Sequence, residues 1–98
     1  MSGTYDFEVQ IDGYVVENKE RIQEALSEFG NFKLVDHNGM LCATAVMIIR
    51  MDDEEQSNAI ARAIMKANGG RCEVLIRAYF LDDPPYNTYT YNKNLKYV

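Results

Sequence analysis

The sequence predicts an α+β fold, in which a single antiparallel sheet carries two helices on one face. Residues 4–12 alternate between apolar and polar side chains, which is typical of a half-buried strand. The run LCATAVMIIR, residues 41–50, is almost wholly apolar and indicates a central strand buried on both faces. Two other stretches repeat apolar residues at the i, i+3, i+4, i+7 spacing of an amphipathic helix.

The first half of the chain contains a strand, a helix and a second strand. The apolar face of the first strand comprises Tyr5, Phe7, Val9 and Ile11. The first helix is predicted over residues 17–29, with Gly30 as its stop. Its apolar stripe comprises Ile22, Ala25, Leu26 and Phe29. A second strand at 32–37 leads through Asn38-Gly39, a strong two-residue hairpin signal, into the strand at 41–50.

The second half repeats this pattern. A helix is predicted over residues 53–68, and Asn68-Gly69-Gly70 ends it. Its start has the spacing of a capping box, from either Asp52 with Glu55 or Asp53 with Gln56. A last strand at 71–81 stops before Pro84-Pro85, because proline cannot donate a hydrogen bond to the sheet.

Two β-α-β units with right-handed crossovers give a ferredoxin-like βαββαβ plait, with a four-stranded antiparallel sheet in the order 4-1-3-2. Residues 1–83 form this single domain, and residues 84–98 form a tail rich in Tyr and Asn. The alternation of Tyr89 and Tyr91 is compatible with a short extra strand, a partner-binding segment or a loose end.

The two cysteines test this topology. Strand phase places Cys42 on the sheet face without helices and Cys72 on the helix face, with the first strand between them. Two strand spacings amount to roughly 10 Å, which exceeds the ~7 Å Cα limit of a disulfide. We therefore expect two free thiols.

Charge and composition disfavour several classes of function. The net charge of -5, from 10 basic and 15 acidic residues, disfavours direct binding to nucleic acid or to an anionic membrane. The same charge favours a protein partner with a basic surface. No apolar run reaches the ~18 residues of a membrane span, and the N-terminal residues lack a secretory signal pattern, so we expect a cytoplasmic protein.

The sequence contains no recognisable catalytic motif. It has no P-loop and no GxGxxG, and the lone His37 has no serine or cysteine motif to pair with. The acidic run at residues 52–55 is explained by helix capping and lacks the spacing of a calcium loop. We predict no enzyme activity, no cofactor and no metal.

The sheet face without helices is the first candidate binding surface, because its side chains are too apolar for a fully solvated face. The predicted partner-binding residues there are Asp6, Glu8, Val46, Ile48, Leu75 and Tyr79. Three covers are consistent with the sequence: the tail, through Tyr89 and Tyr91; a second copy of the chain; or a different partner or ligand.

The second candidate is an acidic row on the first helix. Its members are Glu17, Glu20, Glu24 and Glu28. Like charges at this spacing repel, and the last turn of a helix prefers cations. The row is either a docking stripe for a basic surface or a solvated face that Arg21 compensates.

These features lead to two hypotheses of function. The first is a non-catalytic protein-binding module, a small acidic inhibitor or adaptor of the kind that phages and plasmids direct against host machinery, as in anti-defence proteins. The alternative is a dimeric regulatory domain of ferredoxin-like type that binds a small molecule at a sheet edge or a dimer interface.

Overall fold

The computed structural model describes residues 3–70, 72–81 and 86–91. The strands and helices follow one another as β1 (Gly3–Asp12), α1 (Lys19–Ser27), β2 (Lys33–His37), β3 (Met40–Ile49), α2 (Asp53–Asn68), β4 (Glu73–Phe80) and β5 (Asn87–Tyr91). A short 3-10 turn, Val16–Asn18, precedes α1. The α+β class and the predicted order of the first six elements are confirmed.

The sheet is antiparallel and has five strands in the order β2-β3-β1-β4-β5. The predicted sheet of four strands is therefore wrong in its strand count, although the first four strands have the predicted neighbours. The additional strand comes from the tail, where Asn87 lies opposite Ala78 and Tyr91 lies opposite Val74.

The core lies between the sheet and the two helices. Side chains from alternate strand positions, such as Phe7 and Ile76, are buried against Ile22 and Leu26 of α1 and Ile64 of α2. The intervening strand residues face away from both helices, because successive side chains of a strand point to opposite faces. We call the face without helices the open face.

The two helices end differently. Helix α1 is shorter than predicted, and Gly30 lies three residues beyond its end rather than acting as a left-handed cap. A Cβ atom at Gly30 would lie 3.2 Å from the terminal methyl carbon of Met47, so this glycine allows a close approach to β3. Gly69 ends α2 as predicted, with φ 72° and its N–H bonded to the carbonyl of Lys66.

The predicted capping box at the start of α2 is wrong. Asp52 is the N-cap residue, but its side chain makes no capping bond. Asp53 instead accepts hydrogen bonds from Asn87 (2.9 Å) and Tyr89 (2.8 Å), and the side-chain amide of Gln56 donates to the sulfur of Met47. The buried acid of this run therefore connects α2 to β5.

Strand β2 is joined to β3 by a hairpin turn, and the carboxylate of its Asp36 bonds to the segment before α1. Asn38 and Gly39 have φ values of 51° and 85°, which confirms the predicted turn. Asp36 accepts hydrogen bonds from the Tyr14 hydroxyl (2.8 Å) and the Gly39 N–H (3.2 Å), and it lies 3.8 Å from Lys19. These donors hold the pKa of Asp36 below its ordinary value, with the Tyr14 bond as the main cause.

Candidate protein-binding surfaces

The open face carries exposed apolar side chains at its centre. Val46 is 60% exposed and Ile48 is 72% exposed, although β3 is an interior strand of the sheet. Their neighbours along the strand, Ala45 and Met47, are buried under the helices. The predicted placement of Val46 and Ile48 on the face without helices is thus confirmed. The expectation that this strand is buried on both faces is wrong, because Val46 and Ile48 remain largely exposed among the described residues.

The register brings several of the predicted residues together. Asp6 on β1 lies between Val46 on β3 and Tyr79 on β4. One row further along the sheet, Glu8 lies between Thr44 and Arg77. Leu75, by contrast, lies opposite Gln10. Four predicted residues, Asp6, Glu8, Val46 and Tyr79, therefore form one cluster on three adjacent strands.

The two carboxylates of this cluster differ in their surroundings. Glu8 accepts a hydrogen bond from the Tyr79 hydroxyl (3.2 Å) and lies 3.8 Å from the guanidinium of Arg77. Asp6 has no hydrogen bond or ion pair from its side chain to any described residue. Partial burial, and secondarily the charge of Glu8, raises the pKa of Asp6. Asp6 is thus the carboxylate of this face that lacks a neutralising partner.

An aromatic pair borders the cluster. The rings of Tyr79 and Tyr86 lie 4.7 Å apart, and Tyr86 is exposed. Burial, and secondarily the charge of Glu8, raises the pKa of Tyr79. No sequence pattern singles out Tyr86, because its place beside Tyr79 depends on the register of β5.

A groove of about 300 Å³ opens beside Asp6, at the end of β2. Its walls are Asp6, Asn31, Lys33, Thr44, Ala45 and Val46. The groove exists because β2 pairs only with residues 40–44 of β3. Residues 45–49 pair with β1 on one side and with no described strand on the other. We call this unpaired stretch the free edge.

The tail tyrosines do not lie on the open face, which corrects that part of the sequence-based expectation. Tyr89 and Tyr91 lie opposite Ile76 and Val74, whose side chains are in the core. Tyr89 donates to Asp53, Tyr91 donates to Asn58, and Tyr91 is only 5% exposed. They secure β5 against α2, whereas residues 84, 85 and 92–98 of the tail lie outside the described part of the chain.

The acidic row lies on the opposite side of the molecule from the open face. Glu17, Glu20, Glu24 and Glu28 are all exposed. Glu24 and Glu28 share a groove of about 430 Å³ between α1 and α2 with Arg21 and Lys66, so cations interrupt the acidic surface. A compensating Glu17–Arg21 ion pair is absent from the described residues. Because the sheet separates the two surfaces, a flat partner contacts only one of them.

Both cysteines are free, as expected. Cys72 is buried in the core, and burial raises the pKa of its thiol to about 11. Cys42 lies on β3 opposite Gln10 and is half-buried.

Comparison with protein-family models, curated proteins and solved structures found no match to this chain. Within residues 3–70, 72–81 and 86–91, no helix has the length and apolar character needed to cross a membrane. The same residues contain no group of three or more His, Cys, Asp or Glu side chains placed to hold a metal ion.

Proposed function

We propose that this protein is a non-catalytic protein-binding module, built on a ferredoxin-like plait with a fifth strand, which binds its partner through the open face. The observation that carries the proposal is the exposure of Val46 and Ile48, at 60% and 72%, on an interior strand. Apolar side chains gathered on an exposed surface and bordered by polar residues are characteristic of protein interaction sites.

The charge of the protein supports a partner with a basic surface. The net charge is -5, and Asp6 borders Val46 without a neutralising partner among the described residues. A cationic side chain of the partner would pair with this carboxylate, and opposite net charges would speed the encounter at low salt. Binding without catalysis fits an inhibitor or adaptor, such as the small acidic proteins that phages and plasmids direct against host machinery.

Quantitative affinity capture from the native host lysate tests the proposal. The open-face variant is Val46→Asp/Ile48→Asp, and the matched control is Glu20→Lys/Glu24→Lys/Glu28→Lys on α1. Both variants alter exposed positions, so circular dichroism and thermal unfolding should show intact folds. We expect the open-face variant to lose the captured partner by about tenfold or more, as for central interface residues, while the α1 variant retains it.

Two results would contradict the open-face proposal. Equal capture by wild type and the open-face variant would show that Val46 and Ile48 take no part. Loss of capture only in the α1 variant would move the binding site to the acidic row. Repeating the capture at high salt separates the contributions further, because charge contacts weaken with ionic strength whereas apolar contacts persist.

A dimeric small-molecule-binding domain is the second candidate. A concavity of about 290 Å³, lined in part by Gln10, Leu75 and Thr90, favours it. This volume is at the lower limit of typical ligand pockets, roughly 300–1,000 Å³. A thermal-shift screen of amino acids and nucleotides tests the idea, and a shift that a Leu75→Glu variant abolishes would support it over protein binding.

A further inference from the structure

We infer that the partner contributes an extended segment, which adds as a strand to the free edge of β3. The inference rests on the proposed function and specifies its mode. The free edge comprises residues 45–49, which pair with β1 but not with β2. Strand addition is a recurring mode of peptide recognition, in which backbone hydrogen bonds supply affinity and alternate side chains supply specificity.

The direction of the backbone groups supports this mode. In a two-residue hairpin, the residues that flank the turn exchange both of their backbone hydrogen bonds. His37 and Met40 flank the Asn38-Gly39 turn, so Met40 directs its N–H and C=O towards β2. Because this direction alternates along a strand, Val46 and Ile48 direct theirs to the same side, beyond the end of β2. No described residue accepts or donates a hydrogen bond there.

The composition of the free edge is also consistent with strand addition. Natural edge strands are usually protected by charged residues, proline or a bulge. Strand β2, which covers the first half of β3, follows this rule with exposed Lys33, Asp36 and His37. The free edge, AVMII, contains no charge and no proline. An added strand would pair with Val46 and Ile48 and extend their apolar surface on the open face.

The occupant we infer is a segment of another protein that alternates apolar and small polar residues and carries a basic residue near one end. Asp6 and Lys33 both line the groove beside the free edge, but Asp6 forms no ion pair with Lys33 or with any other described residue, so a basic side chain on the added strand has an unpaired acidic counterpart within reach. A second copy of the chain fits less well, because each copy carries a net charge of -5.

A synthetic probe tests the inference on the full-length protein. The probe is the peptide RTVTVTR with both ends blocked, and its control is the same peptide with N-methyl groups on both valines. N-methylation removes the two donors that would face Val46 and Ile48, while the side chains remain. We expect the unmodified probe to slow amide exchange at Val46 and Ile48 by about tenfold or more, as hydrogen-bonded amides exchange slowly, and the methylated peptide to have no effect.

Two variants separate backbone pairing from side-chain contact. Ile48→Pro removes the outward N–H, whereas Ile48→Thr keeps the N–H and removes apolar surface. We expect Ile48→Pro to weaken probe binding by about tenfold or more and Ile48→Thr to weaken it less, because backbone pairing supplies most of the affinity in this mode. Equal binding of both peptides, or unchanged binding to Ile48→Pro, would overturn the inference.

The amide exchange of the protein alone provides a further test. We expect rapid exchange at Val46 and Ile48, since no described residue accepts a hydrogen bond from their outward N–H groups. Slow exchange that depends on protein concentration would identify a second copy as the occupant, and slow exchange independent of concentration would identify another segment of the chain. Either result overturns the inference. If lysate capture is lost in Val46→Asp/Ile48→Asp but kept in Ile48→Pro, strand addition fails while the proposed function stands.

Discussion

The two lateral sides of the sheet are closed in different ways. On one side, β5 pairs with residues 74–78 of β4, and its side chains bond to α2 through Asp53 and Asn58. On the other side, β2 begins at Lys33, opposite Thr44, and therefore pairs only with residues 40–44 of β3. The first side is secured by contacts between strand and helix, whereas half of the second side pairs with no described strand.

This difference separates a structural edge from a candidate binding edge. Tyr89 combines an apolar ring against the core with a hydroxyl that donates to Asp53, so it fastens β5 from the helix side. Val46 and Ile48 carry no polar group that could form such a bond, and both side chains are largely exposed. The same sheet therefore has one edge that is bonded to a helix and one that the described residues leave partly unpaired.

Proline substitution should have the largest effect and tests the direction of the free-edge amides directly. Met47→Pro removes an N–H that points towards β1, and its buried side chain is lost as well. We expect it to lower the free energy of unfolding by about 3 kcal/mol or more. Ile48→Pro removes an outward N–H, and we expect a cost of about 1 kcal/mol or less. Urea unfolding of both variants measures the difference, and equal costs would disprove the assigned direction.

Loss of the Asp53 carboxylate should have the next largest effect. Asp53 is 7% exposed and accepts hydrogen bonds from Asn87 and Tyr89. Asp53→Ala leaves these donors without their acceptor, so we expect a loss of about 1–3 kcal/mol in the free energy of unfolding and faster amide exchange in β5. The matched control is Asp52→Ala, at an exposed position whose side chain makes no capping bond, and its cost should be about 0.5 kcal/mol. Similar losses in both variants would indicate a helix-dipole effect rather than a link to β5.

Periodic patterns in the sequence predicted the sheet but not how its sides are closed. Strand phase correctly placed Val46 and Ile48 on the face without helices, although the apolar run 41–50 had predicted burial on both faces. The Asn38-Gly39 turn fixed the register of β2, and the unequal lengths of the two predicted strands already implied that part of β3 lacks a neighbour. The unpaired stretch becomes evident only when the pairing set by the turn is followed along the full length of β3.

Contacts between distant parts of the chain were not predictable in the same way. Asp53 has the spacing of a capping residue, yet its carboxylate bonds to Tyr89, far along the chain. Asn68 was identified only as a helix end, but its side chain accepts the Val15 N–H at 2.6 Å and donates to the carbonyl of Gly70. Polar side chains of this kind have several possible partners, and only the packed fold selects among them.

The attachment of β2 should weaken in acid, and the effect should be smaller than that of Asp53. The donors around Asp36 lower its folded-state pKa below the ordinary 3.8, so its contribution to stability is present above that value and is lost as the pH falls through the folded-state pKa. Wild type should unfold at a higher temperature than Asp36→Asn at pH 7, and the two should converge as the pH falls below 3.8 and through the folded-state pKa. Asp12→Asn, at an exposed position of β1, is the matched control. A difference that persists in acid would show that the charge of Asp36 is not the cause.

Thiol modification involves the smallest expected change in stability. Because one cysteine lies on β3 and the other beside β4, it probes the two sides of the sheet separately. Cys42 lies on the half-covered β3, whereas Cys72 is 2% exposed beside β4 and burial raises its pKa to about 11. Because the thiolate is the reactive form, iodoacetamide should modify Cys42 in the native protein and Cys72 only after unfolding. Mass spectrometry of the native and urea-unfolded protein distinguishes the two sites.

Early modification of Cys72 would show that the β4 side opens readily, which would contradict the view that β5 covers it. In Asp53→Ala, where the link between β5 and α2 is cut, the modification of Cys72 should accelerate while that of Cys42 stays constant.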